Sequence, residues 1–342
     1  MPAAAARVIA PLVGIGLGLG LALAACTDGS ARVGPTPSLP SVTGPNAPVT
    51  PRAYTQAALD LIGGGLEVES SFGVLREIAL RKAGPATTTA GTYDALRTAL
   101  TGVGQSPGDL ITRDAVARVP ASPGEPGAET AGGITVVTLP GFADLSARPG
   151  SGATTAAEVA YARSGSAAVS NAARDTTCGW VVDVRGNGTT DVPVLLGSIA
   201  ALLPAGPVLS RVDRDGRHSD VVLTDDGVHT GGTLALPLDP VARHDEPVVV
   251  LQDSGTSRAG EAVVLAFRSR SGSHSIGSAT FGKATDGTTT PLSDGAMLYI
   301  TRWRLGESAG PVASGAVLPQ ESADPAVALD AARAWLRGRC GQ

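Results

Sequence analysis

Apolar residues are spaced differently in successive stretches of the chain. Residues 8–25 form a continuous apolar run rich in Gly, Leu and Ala, with Arg7 just before it. Residues 26–52 are dominated by Pro, Ser, Thr and Gly. They carry too little large apolar surface to offset the entropy of ordering, and so predict a flexible tether. From 53 to 104 the spacing becomes helical: Leu59, Ile62 and Leu66 share one face, and Leu75, Ile78, Ala79 and Lys82 another. Gly84-Pro85 interrupts this stretch, and Thr92 is placed to cap a helix over 93–100.

Residues 119–133 are rich in Pro and Gly and predict a surface loop. Beyond them, short apolar runs alternate with helical periods. Runs 134–139 and 180–184 predict buried strands, with a helix over 156–174 between them and another over 192–203. Runs 208–212, 219–223 and 234–238 predict further strands or hairpin arms, and 248–251 and 296–301 complete the sheet. Between those last two, 262–267 is apolar all round, which marks a buried helix. A final helix is signalled by Asp324 as N-cap and Pro325 at its first position, with Val327, Ala331 and Trp335 on one face. Strands alternating with helices imply an α/β core. The expected division is an export signal at 1–25, a tether at 26–52, a helical subdomain at 53–118 and an α/β core at 119–342. No internal repeat is visible.

Composition narrows the partners. The chain has 342 residues, 43% hydrophobic and only 3% aromatic, so its core must be built from Val, Leu, Ile and Ala. A net charge of −5 leaves no basic footprint for nucleic acid. Of the 26 basic residues, only Lys82 and Lys283 are lysine. The apolar run ends in Leu23-Ala24-Ala25-Cys26, which resembles a bacterial lipobox with Cys26 as the lipidated residue. The alternative is a plain transmembrane anchor, since 18 apolar residues nearly span a bilayer. Two cysteines then remain, Cys178 and Cys340. In an exported protein such a pair suggests a disulfide, with two free thiols as the alternative.

The chemistry is concentrated in two segments. The first is the strand Pro247-Val248-Val249-Val250-Leu251, then Gly255-Thr256-Ser257-Arg258-Ala259-Gly260-Glu261, the apolar helix, and Thr280-Phe281-Gly282-Lys283. The second is Cys178-Gly179-Trp180-Val181-Val182-Asp183-Val184-Arg185-Gly186-Asn187-Gly188-Thr189-Thr190. Together they resemble the active-site segments of the tail-specific, or C-terminal-processing, serine peptidases. The resemblance covers roughly residues 53–340. It implies a crotonase- and Clp-protease-like strand–strand–helix spiral with a small N-terminal helical subdomain, and peptide or unfolded protein segments as partners. The interval from Gly104 to Ile134 is too short for the PDZ domain that many relatives carry. No cofactor and no metal are implied, and the four histidines, His218, His229, His244 and His274, lack ligand spacing.

In that family a lysine base follows the nucleophile by 25 residues. Counting back from Lys283 reaches Arg258, so the resemblance puts an arginine in the nucleophile position. Guanidinium is neither a nucleophile nor deprotonated in proteins, and a cation at a helix N-terminus opposes the dipole. Lys283 remains the candidate base, since a solvated cation in this chain is otherwise almost always arginine. Ser257 is the substitute nucleophile, one residue and about 100° of helix away. The resemblance places the oxyanion loop at Gly188, Thr189 and Ala259, with threonines where relatives have glycines. Asp183, Arg185 and Asn187 read as holding the strand end together. Relatives also carry an Asp/Gly-His-Ser motif near Gly104, where this chain has Gln105-Ser106-Pro107-Gly108-Asp109.

Three functions fit these residues. The first is a lipid-anchored protein on the outer face of the cell membrane, with the peptidase fold, an impaired active site and retained peptide binding, Arg258 pairing a substrate carboxylate. The second is an active serine endopeptidase using Ser257 with Lys283 as base. The third is a structural envelope lipoprotein.

Overall fold

The computed structural model describes residues 49–118, 124–143 and 154–340. The export signal at 1–25, the lipidation at Cys26 and tether residues 27–48 lie outside the described residues. Three helices come first: α1 (Pro51–Gly63), α2 (Phe72–Ala83) and α3 (Tyr93–Gly102). Thr50 accepts from Ala53 N and Pro51 takes the first turn, so the helix begins two residues inside the expected tether. The α2 face is rotated from expectation: Ala79 and Ala83 are buried, Ile78 is exposed, and Lys82 pairs with Asp94 at 2.7 Å. Thr92 does not cap α3; its hydroxyl donates back to Thr89 O at 2.7 Å.

The short β1 (Leu110–Ile111) and α4 (Arg113–Val116) lead to β2 (Gly127–Ala131), β3 (Ile134–Thr138), α5 (Ala156–Ala172), β4 (Gly179–Asp183) and α6 (Val192–Ser198). Four antiparallel strands follow, β5 (Gly206–Asp213), β6 (His218–Leu223), β7 (Gly227–Thr230) and β8 (Thr233–Pro237). Then come β9 (Val248–Gln252), α7 (Ala259–Arg268), β10 (Ser273–Gly277), β11 (Thr285–Pro291), β12 (Met297–Glu307), β13 (Glu321–Ser322) and α8 (Ala328–Arg337). One sheet runs β13-β10-β9-β4-β3-β2; the other runs β1-β12-β5-β6-β7-β8, with β11 also on β12.

The first sheet is parallel from β13 to β3 and covered on both faces, which is why its central strands are unbroken apolar runs. Trp180, Val182, Val248 and Val250 point into the main core with α5, α6 and α7. Val181, Val249 and Leu251 point the other way, against Ala328, Ala332 and Leu336 of α8. The helical layer packs on the second sheet, where Leu59, Ile62, Leu96 and Leu100 meet Leu298 and Ile300 of β12. A mixed α/β core with a small helical layer is therefore what the alternation of runs implied.

Three expectations are corrected. The predicted loop 119–133 contains the strand β2, paired with β3 through a hairpin whose two turn residues, Gly132 and Gly133, have φ of 60° and 76°. Positive φ at both positions marks the type I′ turn that suits strand twist. The same device, Gly231-Gly232 at 57° and 82°, joins β8 to β7, a strand the apolar pattern missed. The final helix starts three residues late: Asp324 accepts from Ala326 N in a preceding turn, and Val327 is the N-cap residue and exposed. The inner face is therefore Ala328, Ala332 and Leu336. Trp335 instead stacks on His274 at 5.0 Å, with Arg339 against its ring.

Cys178, just before β4, is joined to Cys340, just after α8, by a disulfide that spans 162 residues. It closes a long loop and ties α8 to the parallel sheet. Cys340→Ser is expected to lower unfolding free energy by about 2–5 kcal/mol in urea titrations. Reductant should bring the wild type to the same midpoint, and an unchanged midpoint would contradict the structural role.

Candidate functional site

The connection from β9 to α7 is organised first by Asp253. Its Oδ1 accepts from the main-chain N–H groups of Gly186 at 2.8 Å, Gly255 at 2.9 Å and Thr256 at 3.0 Å. The ends of β4 and β9 thus share one acceptor, and Thr256 Oγ1 adds a bond to Val184 O at 2.9 Å. Ser257 O then accepts from Gly260 N at 2.9 Å, closing a four-residue turn. Inside it Arg258 has φ 52° and ψ −113°. This is close to the first central position of a type II′ turn, where glycine is the usual residue. A side chain held there costs about 1–3 kcal/mol of backbone strain. The strand–strained turn–helix elbow that presents a nucleophile in α/β enzymes is therefore retained, with arginine at its tip.

Glu261, 0% exposed, holds the elbow in place. Its Oε2 accepts from Arg258 N at 3.1 Å and Lys283 N at 2.8 Å. Its Oε1 accepts from Gly282 N at 2.9 Å and from the Thr280 hydroxyl. Burial raises the carboxyl above its ordinary range, while these four donors pull against that shift. Arg258 N also donates to Lys283 O at 3.0 Å, so both sides of the Lys283 residue are tied to the elbow.

The Arg258 side chain turns away from the helix end. Its Nη2 pairs with Asp109 Oδ1 at 2.5 Å, and its guanidinium lies 4.7 Å from the centre of the Tyr299 ring. Asp109 is 4% exposed and its other oxygen accepts from Ser106 N at 3.1 Å. The helix dipole repels a cation, and the buried carboxylate in the turn after α3 attracts it. Arg258 is thus already engaged within the protein. This corrects the expectation that it pairs a substrate carboxylate.

The loop beside the elbow is equally committed. Ala259 N donates to Thr189 O at 3.0 Å, and Thr189 N donates to Asn187 Oδ1 at 3.0 Å. Thr189 Oγ1 accepts from Phe142 N at 2.8 Å, and Asn187 Nδ2 donates to Leu139 O at 2.9 Å. The loop runs so close to α7 that a Cβ on Gly260 would strike the Asn187 carbonyl. Two of the three N–H groups expected to serve an oxyanion are therefore engaged; Gly188 N has no partner among the described residues. Asp183 and Arg185 hold the strand end, Arg185 Nε reaching Oδ1 at 2.9 Å and Nη2 reaching Oδ2 at 2.6 Å.

Ser257 lies beside Gly188, whose added Cβ would sit 3.1 Å from its hydroxyl. Among the described residues no hydrogen bond joins Ser257 to Lys283. Lys283 instead lines a cleft of about 460 Å³ whose walls include neither Ser257 nor Arg258. Gln105 lines the same cleft, and its Nε2 donates to Thr301 Oγ1 at 3.0 Å.

The sequence did not reveal Asp253, Tyr299 or the pairing of Asp109 with Arg258. One signal was available: Ser106-Pro107-Gly108-Asp109 has the spacing of a capping box, which turns a carboxylate inward. Which cation it would meet, 149 residues away, is set by the fold.

Because the pair is largely buried, Asp109→Asn is expected to lower unfolding free energy by about 3 kcal/mol by leaving the guanidinium uncompensated. Adding Arg258→Ala should recover part of that loss in a double-mutant cycle. Strict additivity would show that the two groups do not interact.

Residues 133–310, just over half of the chain, match the family described as Peptidase family S41. A nisin-resistance protein of Lactococcus lactis subsp. lactis is 30% identical over 123 residues. That match covers 36% of this chain and 39% of the relative, so well under half of the relative's length is spanned. Among solved structures, a lipoprotein from Streptococcus agalactiae has a TM-score of 0.71 at 17% identity, covering 87% of this chain and 100% of that one. A photosystem II D1 C-terminal processing protease has a TM-score of 0.51 at 17% identity, covering 81% of this chain and 94% of the other. At such identities these likenesses speak for the fold alone. The family match and the retained elbow agree with the motifs read from the sequence: the chain belongs to Peptidase family S41, with the fold of the C-terminal processing proteases.

Proposed function

We propose that this protein is an exported, lipid-anchored member of its family that holds extended peptide segments without hydrolysing them. The observation that carries this is the tip of the elbow, where Arg258 occupies the strained position and is ion-paired to Asp109 at 2.5 Å. Guanidinium supplies no nucleophile. Around it, the Ala259 and Thr189 N–H groups are engaged. Losing a single oxyanion donor already costs about 10²–10³ in rate. The combined losses favour a silent site over a slow one.

Peptide binding is supported by what remains. The elbow and its loop are rigidly built, and the cleft between the helical layer and the second sheet is open. Anchoring at the membrane is supported by the run ending in Leu23-Ala24-Ala25-Cys26 and by the lipoprotein among the structural relatives. The nisin-resistance relative agrees with an envelope location.

The wild type is expected neither to react with a fluorophosphonate probe nor to cleave unfolded casein, and Arg258→Ser is expected to remain at background. Labelling of Ser257 that disappears in Lys283→Ala would establish the active endopeptidase instead. Cleavage restored by Arg258→Ser alone would show that the donors and base were intact.

A further inference from the structure

Two guanidinium groups meet where α1 ends. Arg302 lies on β12, and Arg214 lies in the turn between β5 and β6. In the antiparallel ladder Arg304 pairs with Val212 and Trp303 with Asp213, so the next position out sets Arg302 beside Arg214. Like charges opposite one another across strands are destabilising. The acids of the same turn are committed elsewhere, Asp213 to Arg217 Nε at 2.8 Å and Asp215 to Arg217 Nη2 at 2.6 Å. Among the described residues neither Arg214 nor Arg302 forms an ion pair. Each donates from Nη1 to a carbonyl at the end of α1, Arg214 to Gly63 O at 3.1 Å and Arg302 to Gly64 O.

Those carbonyls form the negative pole of the helix and explain why cations gather here. They use only one donor of each guanidinium. The other N–H groups of both have no partner among the described residues. Unlike Arg211 Nε and Arg268 Nε, which are buried without partners, these donors are open to a ligand. Two further features place Arg302. Asp286 of β11 faces Trp303 and Gly287 faces Thr301, which leaves Arg302 in a bulge. A bulge re-aims a side chain that regular pairing would send elsewhere. Gly64 then lets the guanidinium lie against the main chain, since a Cβ there would strike Nη1. Burial and the Arg214 charge both lower the proton affinity of Arg302, and no carboxylate offsets them. Guanidinium keeps its proton nonetheless, so the repulsion stands until an anion enters.

We propose that Arg214 and Arg302 bind a phosphate group, either inorganic phosphate or the phosphodiester of a lipid headgroup. The oxygens of a tetrahedral oxyanion diverge toward guanidinium forks held on different segments, whereas a planar carboxylate suits one fork. Neither arginine lines the cleft beside the elbow, so this site is separate from peptide holding.

The test follows the thermal midpoint of the full chain at neutral pH and constant ionic strength. Inorganic phosphate, glycerophosphoglycerol (the free headgroup of phosphatidylglycerol) or acetate replaces chloride in turn. Phosphate or the headgroup is expected to raise the midpoint saturably, and acetate to leave it near its chloride value. Arg214→Gln and Arg302→Gln should each weaken the apparent Kd about tenfold. Arg81→Gln, which removes an exposed arginine of α2, should leave it unchanged. Arg214 is exposed, so its variant keeps the test valid if Arg302→Gln fails to fold. A larger response to the headgroup assigns the site to lipid, and a larger response to phosphate assigns it to the free ion; either supports it. An equal response to acetate, no response to either phosphate compound, or a response that survives Arg214→Gln would overturn the site.

Discussion

The buried carboxylate of Glu261 is the constraint on which the site depends. It accepts four hydrogen bonds, from the tip of the elbow, from the Thr280 hydroxyl and from the main chain at Gly282 and Lys283. Because it sits in the first turn of α7, the helix dipole also favours its charge. These bonds hold Arg258 in a left-handed conformation that it would not adopt alone. They also fix where the Lys283 side chain begins. The elbow and the cleft are thus two outcomes of one buried acceptor.

An arginine at this position brings two problems, a strained backbone and a cation at a helix N-terminus. The fold meets the second by moving the charge. The guanidinium reaches across to Asp109 in the turn after α3 and lies against Tyr299 of β12. The helical layer and the elbow are thereby joined by an ion pair. Ala259 N and Thr189 N are likewise spent on internal bonds that rigidify the 187–189 loop. Polar groups of the elbow and its loop are here paired with one another, and such a satisfied network is rigid.

Much of the α/β core was legible because its strands are buried on both faces. Trp180–Val184 and Val248–Leu251 are unbroken apolar runs, and the buried helix α7 is apolar all round. Strands in the more exposed sheet were harder to find. β7 and β11 carry Thr, His, Gly and Asp, and only the paired glycines at 231–232 signalled the hairpin at β7. The final helix was found, but its inner face lies one residue, about 100°, from the expected one. The family segments were legible at the site because the elbow and the loop are each contiguous in sequence. The Asp109–Arg258 pair was not, because nothing local ties residues 149 positions apart.

By itself the sequence determined the α/β class, the family resemblance and the presence of Arg258 where a serine would serve. These are properties of local order: apolar period, turn chemistry and residue identity at fixed spacing. Only the tertiary structure decided what those residues do. It paired Arg258 with Asp109, closed the Ala259 N–H with Thr189 O, and set Lys283, away from Ser257, in a cleft with Gln105. The reason is physical: a charge or a hydrogen-bond donor is defined by what lies within a few ångströms of it. Those neighbours come from distant parts of the chain that only folding brings together.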